Sequence, residues 1–196
     1  MLSIIHLLDP INASLSLLIE NTRHNLPILW IILALPWGIF FLNAGCQQAL
    51  FVFGLIPRRA RGLAGILFSP LLHANFDHLF FNSIPLLVLS NFLLMHGVFD
   101  YLIITLFITV FAGLLIWCFA PSGLYVGASA LITGYWGFLV CNMYHEGTVT
   151  AIILGLVSLY YFSGILYGLF PSSKEVSWQG HVFGLLAGIF TCLLLY

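Results

Sequence analysis

Charged side chains are scarce in this sequence. Its 196 residues include five Lys or Arg and six Asp or Glu, whereas 62% of the residues are hydrophobic and the mean hydropathy is +1.12. So few ionic groups cannot cover a water-soluble globule, and the composition therefore predicts a membrane protein. Five basic residues also cannot follow a phosphate backbone, which excludes nucleic-acid binding.

Paired cysteines and a leader-like N-terminus are absent as well. The four cysteines are widely separated and form no CxxC pair: Cys46, Cys118, Cys141 and Cys192. They indicate neither a disulfide framework nor a metal site. The first residues lack a basic stretch followed by a cleavage site, so we expect no removable signal peptide. We interpret residues 1–25 as a short N-terminal interfacial segment.

Long apolar runs, in contrast, are abundant. Six runs are long enough to cross about 30 Å of hydrocarbon at 1.5 Å per residue. They cover about Leu26–Ala44, His78–Met95, Tyr101–Ala120, Gly127–Met143, Val149–Leu169 and Gly180–Tyr196. The sequence thus predicts an all-α bundle of six transmembrane helices in one domain, residues 26–196. The long first connection, residues 45–77, is too hydrophobic for a solvated loop, and we expect it to be partly embedded in the membrane edge.

Reactive side chains stand at the starts of the even-numbered spans. Ser129 begins the fourth span and His181 begins the sixth. His78 and Asn82 begin the second span, four residues apart and therefore on one side of a helix. All three starts lie at the same face of the membrane, because the chain crosses twice between them. Polar groups inside a membrane are costly, so a converging set predicts a functional site.

Small residues in the fourth and sixth spans predict close helix contact. They are Gly127, Ala130, Gly134 and Gly137 in one span and Gly180, Gly184 and Gly188 in the other. If these faces meet, the hydroxyl of Ser129 comes within reach of the His181 ring, and histidine can accept its proton at neutral pH. The two carboxylates on this face, Asp77 and Glu175, have no evident route to His181. We therefore expect a Ser/His dyad.

Charge that develops during acyl transfer would need hydrogen-bond donors. The backbone N–H of Ser129 and the side chains of His78 and Asn82 are the candidates at this face, and together they predict an oxyanion hole.

Three short patterns occur in order along the chain: H73-x4-H78-x3-N82, G127-A-S129 and G180-H181-x2-G184-x3-G188. This ordered set resembles the rhomboid family of intramembrane serine proteases. The resemblance implies a Ser129/His181 dyad, an oxyanion site at His78 and Asn82, and cleavage of another protein's transmembrane segment near the membrane surface. It also implies a water-accessible cavity, a gate formed by span 5 and the loop before span 6, and no metal or cofactor.

Two positions near the nucleophile depart from the family pattern. The family's usual glycine directly after the nucleophile is replaced by Ala130, which adds a methyl group near the oxyanion site. A tyrosine that packs against the catalytic histidine in many members is replaced by Thr133. We therefore expect another aromatic residue, such as Tyr135 or Trp136, to orient His181.

The basic residues bear on the first loop and on membrane orientation. The family's frequent Trp-Arg pair is absent from the first loop, and we interpret Arg58-Arg59 as a substitute anchor.

The distribution of basic residues favours a cytoplasmic active site by the positive-inside rule. Four of them share the catalytic face, namely Arg58, Arg59, Arg61 and Lys174, and only Arg23 lies opposite. The resemblance implies the opposite. Following it, we expect a multi-pass protein of a plasma or inner membrane with its site at the non-cytoplasmic face.

Other interpretations of these residues stay open. An inactive rhomboid-like protein that binds transmembrane helices is compatible with Ala130 and Thr133, and His73 can orient the first loop rather than catalyse. A small transporter would show internal duplication or broken helices, and the sequence indicates neither. A zinc site is chemically conceivable from His73, Asp77, His78 and His181. The stretch HANFDH, however, lacks the HExxH pattern and its general-base glutamate.

Overall fold

The computed structural model describes residues 2–170 and 177–196, with side chains from residue 9 onward. Within these ranges the protein is all-helical, apart from a single antiparallel bridge between Leu55 and Tyr125. The helices are α1 (Leu2–Gly45), α2 (Gly65–Phe68), α3 (Phe76–Leu93), α4 (Val98–Phe119), α5 (Ser129–Glu146), α6 (Val149–Tyr161) and α7 (Trp178–Leu195). Short 3-10 helices occur at Ala49–Phe53, Ala60–Gly62, Ser69–Leu71, Leu94–His96 and Ser163–Leu169.

Several helices are long and apolar enough to cross a membrane, and the protein is a multi-pass integral membrane protein. Among the described residues there are four such spans: Asp9–Gly45, Phe76–His96, Val98–Phe119 and Trp178–Leu195. A fifth results if α6 and the 3-10 helix Ser163–Leu169, which are bent by 59° against each other, count as one span. Of the six spans expected from the sequence, four or five are therefore long and apolar enough to cross a membrane.

The fourth expected span corresponds to α5, which is less apolar because it lies inside the bundle. Its residues from Leu131 to Leu139 are all buried, and it packs against α3, α4, α6 and α7. A helix enclosed by other helices does not have to present apolar side chains to lipid, so it can carry polar groups that find partners inside the protein. Asn142, for example, donates to a carboxylate oxygen of Glu146 at 2.8 Å.

One continuous helix replaces the predicted boundary at residue 25. Helix α1 has 44 residues, which corresponds to a length of about 66 Å. Hydrogen bonds join it to the bundle along its course: Ser14 pairs with Thr150 at 3.1 Å, Thr22 with Asn91 at 2.8 Å, and Trp37 with Ser83 at 3.0 Å. These contacts hold both halves of α1 against α3 and α6, so no separate N-terminal helix forms.

The first loop, residues 46–75, lies against the end of α4. The backbone N–H of Arg58 donates to the carbonyl of Trp117 at 3.0 Å, and its Nη1 donates to the carbonyls of Ala120 at 2.7 Å and Cys118 at 3.2 Å. The last carbonyls of a helix have no partner within the helix, and a guanidinium satisfies them well. The predicted anchoring role of Arg58 is confirmed.

Candidate active site

A single cavity contains the side chains that the sequence predicted for the dyad and the oxyanion site. It has a volume of about 1180 Å³ and is bounded by the first loop, α3, α4, α5 and α7. Ser129, His181, His78 and Asn82 all line it. These residues come from three separate helices and span more than half of the chain, so it is the helix packing that brings them together.

Ser129 is the first residue of α5, and the two residues before it are fastened to the first loop. The N–H of Gly127 donates to the carbonyl of Ser69 at 2.9 Å, and the N–H of Ala128 donates to Nε2 of His73 at 3.4 Å. The first backbone N–H groups of a helix have no intrahelical acceptor and carry the positive end of the helix dipole. The backbone of Ser129 is therefore suited to face a developing negative charge.

Gly127 is required for two reasons at this turn. Its φ of +115° lies in a region that residues with a side chain rarely adopt. A Cβ atom at this position would also overlap the His78 ring. The close packing that the sequence predicted for Gly127 against the sixth span is therefore found against His78 instead, because Gly127 precedes α5 and does not lie on its face toward α7.

His181 lies in the first turn of α7, which packs unusually close to α5. A Cβ atom at Gly184 would overlap the backbone carbonyl of Ala130, and one at Gly188 would overlap the carbonyl of Gly134. Only glycine permits this approach of two helix backbones. The contact holds the first turns of both helices, and with them Ser129 and His181, at the cavity.

The His181 ring is bonded to the backbone of the 3-10 helix after α6. Its Nδ1 lies 2.8 Å from the carbonyl oxygen of Gly168. A carbonyl can only accept, so Nδ1 carries the proton of the neutral ring and Nε2 keeps its lone pair. Nothing in the sequence analysis pointed to Gly168, since a glycine 13 positions before a histidine carries no recognisable pattern.

The aromatic residues expected to orient His181 have other partners. The hydroxyl of Tyr135 pairs with Thr105 at 2.7 Å and with Tyr101 at 3.3 Å, deep in the core. The indole N–H of Trp136 donates to the carbonyl of Ser158 at 3.0 Å. The expectation was wrong because both side chains are buried in the bundle and neither lines the cavity, while the acceptor for the ring is a main-chain group.

Thr133 does not substitute for the family's tyrosine either. Its hydroxyl donates to the carbonyl of Ser129 at 2.8 Å, one turn earlier in α5. This bond satisfies the threonine within its own helix and leaves the face of the His181 ring without an aromatic neighbour from this position.

His78 and Asn82 lie on α3 at the cavity. The helix is capped by Asn75, whose side chain accepts from the N–H of His78 at 2.8 Å. The amide nitrogen of Asn82 is buried and has no hydrogen-bond partner among the described residues. An unpaired buried donor is costly and therefore calls for an explanation, such as a ligand group that is bound during function.

His73 lies in the first loop and is buried behind His78. The two rings meet edge to face, with their centroids 5.2 Å apart. Burial, together with the nearby charge of His78, lowers the pKa of His73 to about 4, so the ring is neutral at physiological pH. A neutral ring can accept the N–H of Ala128, which an imidazolium cannot do.

One of the two carboxylates that the sequence placed at this face lines the cavity. Asp77 lies in the first turn of α3 and lines the cavity, whereas Glu175 and Lys174 lie outside the described residues. Within residues 2–170 and 177–196, no three His, Cys, Asp or Glu side chains are grouped closely enough to hold a metal ion.

Comparison with known proteins identifies the family. Residues 60–196 match the sequence profile described as Rhomboid domain, which covers more than half of the chain. The chain belongs to the rhomboid family. It is 38% identical over 171 residues to the uncharacterized protein Rv1337 of Mycobacterium tuberculosis, a match that covers 83% of this chain and 71% of the relative. It is 35% identical over 144 residues to the uncharacterized protein ML1171 of Mycobacterium leprae, covering 68% of this chain and 56% of that relative.

Proposed function

We propose that this rhomboid protein is an intramembrane serine endopeptidase that cleaves transmembrane segments of other membrane proteins. The observation that carries the proposal is the shared cavity, which Ser129, His181, His78 and Asn82 line together. A hydroxyl, an imidazole and two hydrogen-bond donors are the groups that acyl transfer requires.

The reaction proceeds through an acyl-enzyme. The Oγ of Ser129 attacks the scissile carbonyl carbon while Nε2 of His181 accepts the hydroxyl proton. The C–N bond of the tetrahedral intermediate then breaks, and the imidazolium returns this proton to the leaving amine. Water enters, loses a proton to the same nitrogen and attacks the ester carbonyl; the ester C–O bond then breaks, and the imidazolium returns the proton to Oγ of Ser129, which restores its hydroxyl.

The oxyanion of both tetrahedral intermediates is held by three donors. They are the backbone N–H of Ser129, at the positive end of α5, the ring N–H of His78 and the side-chain amide of Asn82. The proposal is supported by the buried Asn82 amide, which finds an acceptor only when the oxyanion forms.

A fluorophosphonate probe tests the proposal, because it reacts with activated serines and needs no knowledge of the substrate. Detergent-solubilised protein is compared with Ser129→Ala and His181→Ala, and turnover of a model transmembrane substrate is followed in parallel. We expect labelling and turnover in the wild type only. Labelling that persists in Ser129→Ala, or the absence of both signals in the correctly folded wild type, contradicts the proposal.

A second candidate is an inactive family member that binds transmembrane helices. It is favoured by Ala130 in the place of the family's glycine and by the local bond of Thr133. The same experiment separates the two functions: stable co-purification of an uncleaved transmembrane segment, with neither labelling nor turnover, supports the binding protein.

We propose six crossings, with α5 as the enclosed fourth span and α6 with its 3-10 helix as the fifth. The active site then faces the non-cytoplasmic side of a plasma or inner membrane. The distribution of basic residues favours the opposite orientation. Arg58 carries less weight in that argument, because its guanidinium is bound to carbonyls of α4.

Cys46 tests this orientation, because it is exposed just after α1 at the same end of the bundle as the site. In a Cys118→Ser background, which removes the other exposed cysteine at this end, a membrane-impermeant maleimide added to intact cells is expected to label Cys46, and the further change Cys46→Ser should remove that label. Labelling of Cys46 only after the cells are opened places the site in the cytoplasm.

A further inference from the structure

We propose that the backbone carbonyl of Gly168 is a positioning group for the His181 base and takes the place that a carboxylate occupies in a Ser-His-Asp triad. The inference rests on the proposed function and concerns a residue that lies outside every motif of the chain. Its basis is the 2.8 Å contact between Nδ1 of His181 and the carbonyl oxygen of Gly168.

The contact fixes which ring nitrogen acts as the base. Because the carbonyl accepts from Nδ1–H, the lone pair of the neutral ring resides on Nε2, which is the nitrogen that must take the proton of Ser129. When that proton arrives, Nδ1–H stays bonded to Gly168, so the imidazolium keeps a partner inside the cavity wall. A carbonyl does this without the cost of a buried carboxylate charge.

The absence of a side chain at Gly168 makes the contact possible. A Cβ atom there would lie 2.5 Å from Nδ1 and 2.9 Å from Cε1 of His181, too close for the ring to keep its position. Gly164, four residues earlier in the same 3-10 helix, has nothing within 4 Å of the corresponding point. The two glycines thus differ in their surroundings although they share one element.

The position of Gly168 links the base to a bent segment. The 3-10 helix Ser163–Leu169 turns by 59° from the axis of α6, and its side chains at Leu166 and Tyr167 are exposed. Its carbonyl at residue 168 points inward to α7 instead. Outward displacement of this segment removes the acceptor from His181, so the dyad is correctly oriented only while the segment stays against α7.

The tautomer of His181 provides a readout that does not depend on activity. In protein labelled with ¹⁵N-histidine, the signals of His181 are assigned by their loss in His181→Gln. We expect the neutral ring of the wild type to carry its proton on Nδ1. A proton found on Nε2 overturns the inference. Absence of fluorophosphonate labelling in a protein with the Nδ1–H tautomer, in contrast, contradicts the proposed protease but leaves the positioning contact in place.

The matched pair Gly168→Ala and Gly164→Ala tests the catalytic consequence. Misplacing a reacting group by about 1 Å costs on the order of 100-fold in rate, so we expect kcat of Gly168→Ala to fall about 10- to 100-fold, with KM changed less than about twofold. Its His181 signals should show a mixture of tautomers. Gly164→Ala should match the wild type in kcat and tautomer. Equal behaviour of the two variants overturns the inference, and if Gly168→Ala does not fold, the wild-type tautomer decides.

Discussion

The backbone N–H of Ala128 donates to Nε2 of His73, and this contact joins the first loop to the residue before Ser129. The ring of His73 is only 2% exposed and lies edge to face against His78. One imidazole thus supports both the turn that carries the proposed nucleophile and a proposed oxyanion donor. His73 is therefore a positioning residue, which agrees with its interpretation from the sequence as an organiser of the first loop.

Replacing His73 by leucine should weaken this support. The change leaves the N–H of Ala128 buried without an acceptor, so we expect the free energy of unfolding to fall by about 1 to 3 kcal/mol and kcat/KM to fall about tenfold. Thermal unfolding in detergent and turnover of a transmembrane substrate provide the measurements. His145→Leu, at an exposed position, is the control and should leave both quantities unchanged. Identical results for the two variants would argue against a role for His73.

The low pKa of His73 predicts a loss of stability in acid. The pKa is about 4 in the folded protein and 6.5 in the free side chain, so below pH 6.5 the unfolded chain binds a proton that the folded chain excludes. The neutral His73 ring therefore contributes about 3 kcal/mol to the free energy of unfolding above pH 6.5, and this contribution is lost as the pH falls toward 4.

His73→Gln isolates this contribution, because glutamine keeps an acceptor and does not titrate. As the pH is lowered from 6.5 to 4, we expect the melting temperature of the wild type to fall more than that of His73→Gln. A difference that is constant across this range would show that His73 does not titrate as its burial requires.

Gly188 tests the contact between α5 and α7. A methyl group at this position would overlap the backbone of Gly134, which cannot move aside as a side chain can. Overpacking of this kind costs about 1 to 3 kcal/mol, so Gly188→Ala should lower the melting temperature and reduce turnover as the helices separate. Gly38→Ala, in α1 with nothing within 4 Å, should be neutral or slightly stabilising. A Gly188→Ala variant as stable as Gly38→Ala would contradict the observed helix contact.

The helices that face lipid were predictable from the sequence, and the enclosed helix explains the main difference. Apolar runs marked α3, α4 and α7 to within a few residues, because lipid demands apolar side chains over a fixed length. Helix α5 is enclosed by other helices and ends in polar residues such as Asn142 and Glu146, which bond to each other, so length and apolarity alone do not identify it as a span. The continuity of α1 depends on tertiary hydrogen bonds, which leave no periodic signal.

Side-chain identities at the site were predictable, whereas the groups that orient them were only partly so. Ser129, His181, His78 and Asn82 stand in an ordered pattern at the starts of three apolar runs, and the structure places them around one cavity. The acceptor for His181 was missed because it is a main-chain carbonyl at Gly168, and every residue carries such a group. Tyr135 was chosen wrongly because spacing along a helix does not reveal which face turns toward the cavity.

Asn82 and Asn91 lie on the same helix and should separate catalysis from stability. The amide nitrogen of Asn91 donates to Thr22 of α1 at 2.8 Å, whereas that of Asn82 has no partner in the described part of the chain. Removing one oxyanion donor typically costs about 10² to 10³ in kcat, so Asn82→Ala should lose activity by this factor and keep its melting temperature. Asn91→Ala should lose about 1 kcal/mol of stability and keep its kcat.

The comparison is decisive because both changes remove the same amide from the same helix. An amide that is hydrogen-bonded only to the oxyanion does not stabilise the folded protein when no substrate is bound. Because it is buried without a partner, its removal should not lower the stability. If Asn82→Ala instead lowers the melting temperature as much as Asn91→Ala does and leaves kcat within about twofold of the wild type, its amide serves packing rather than charge stabilisation. The oxyanion site would then have to consist of the backbone N–H of Ser129 and the ring of His78 alone.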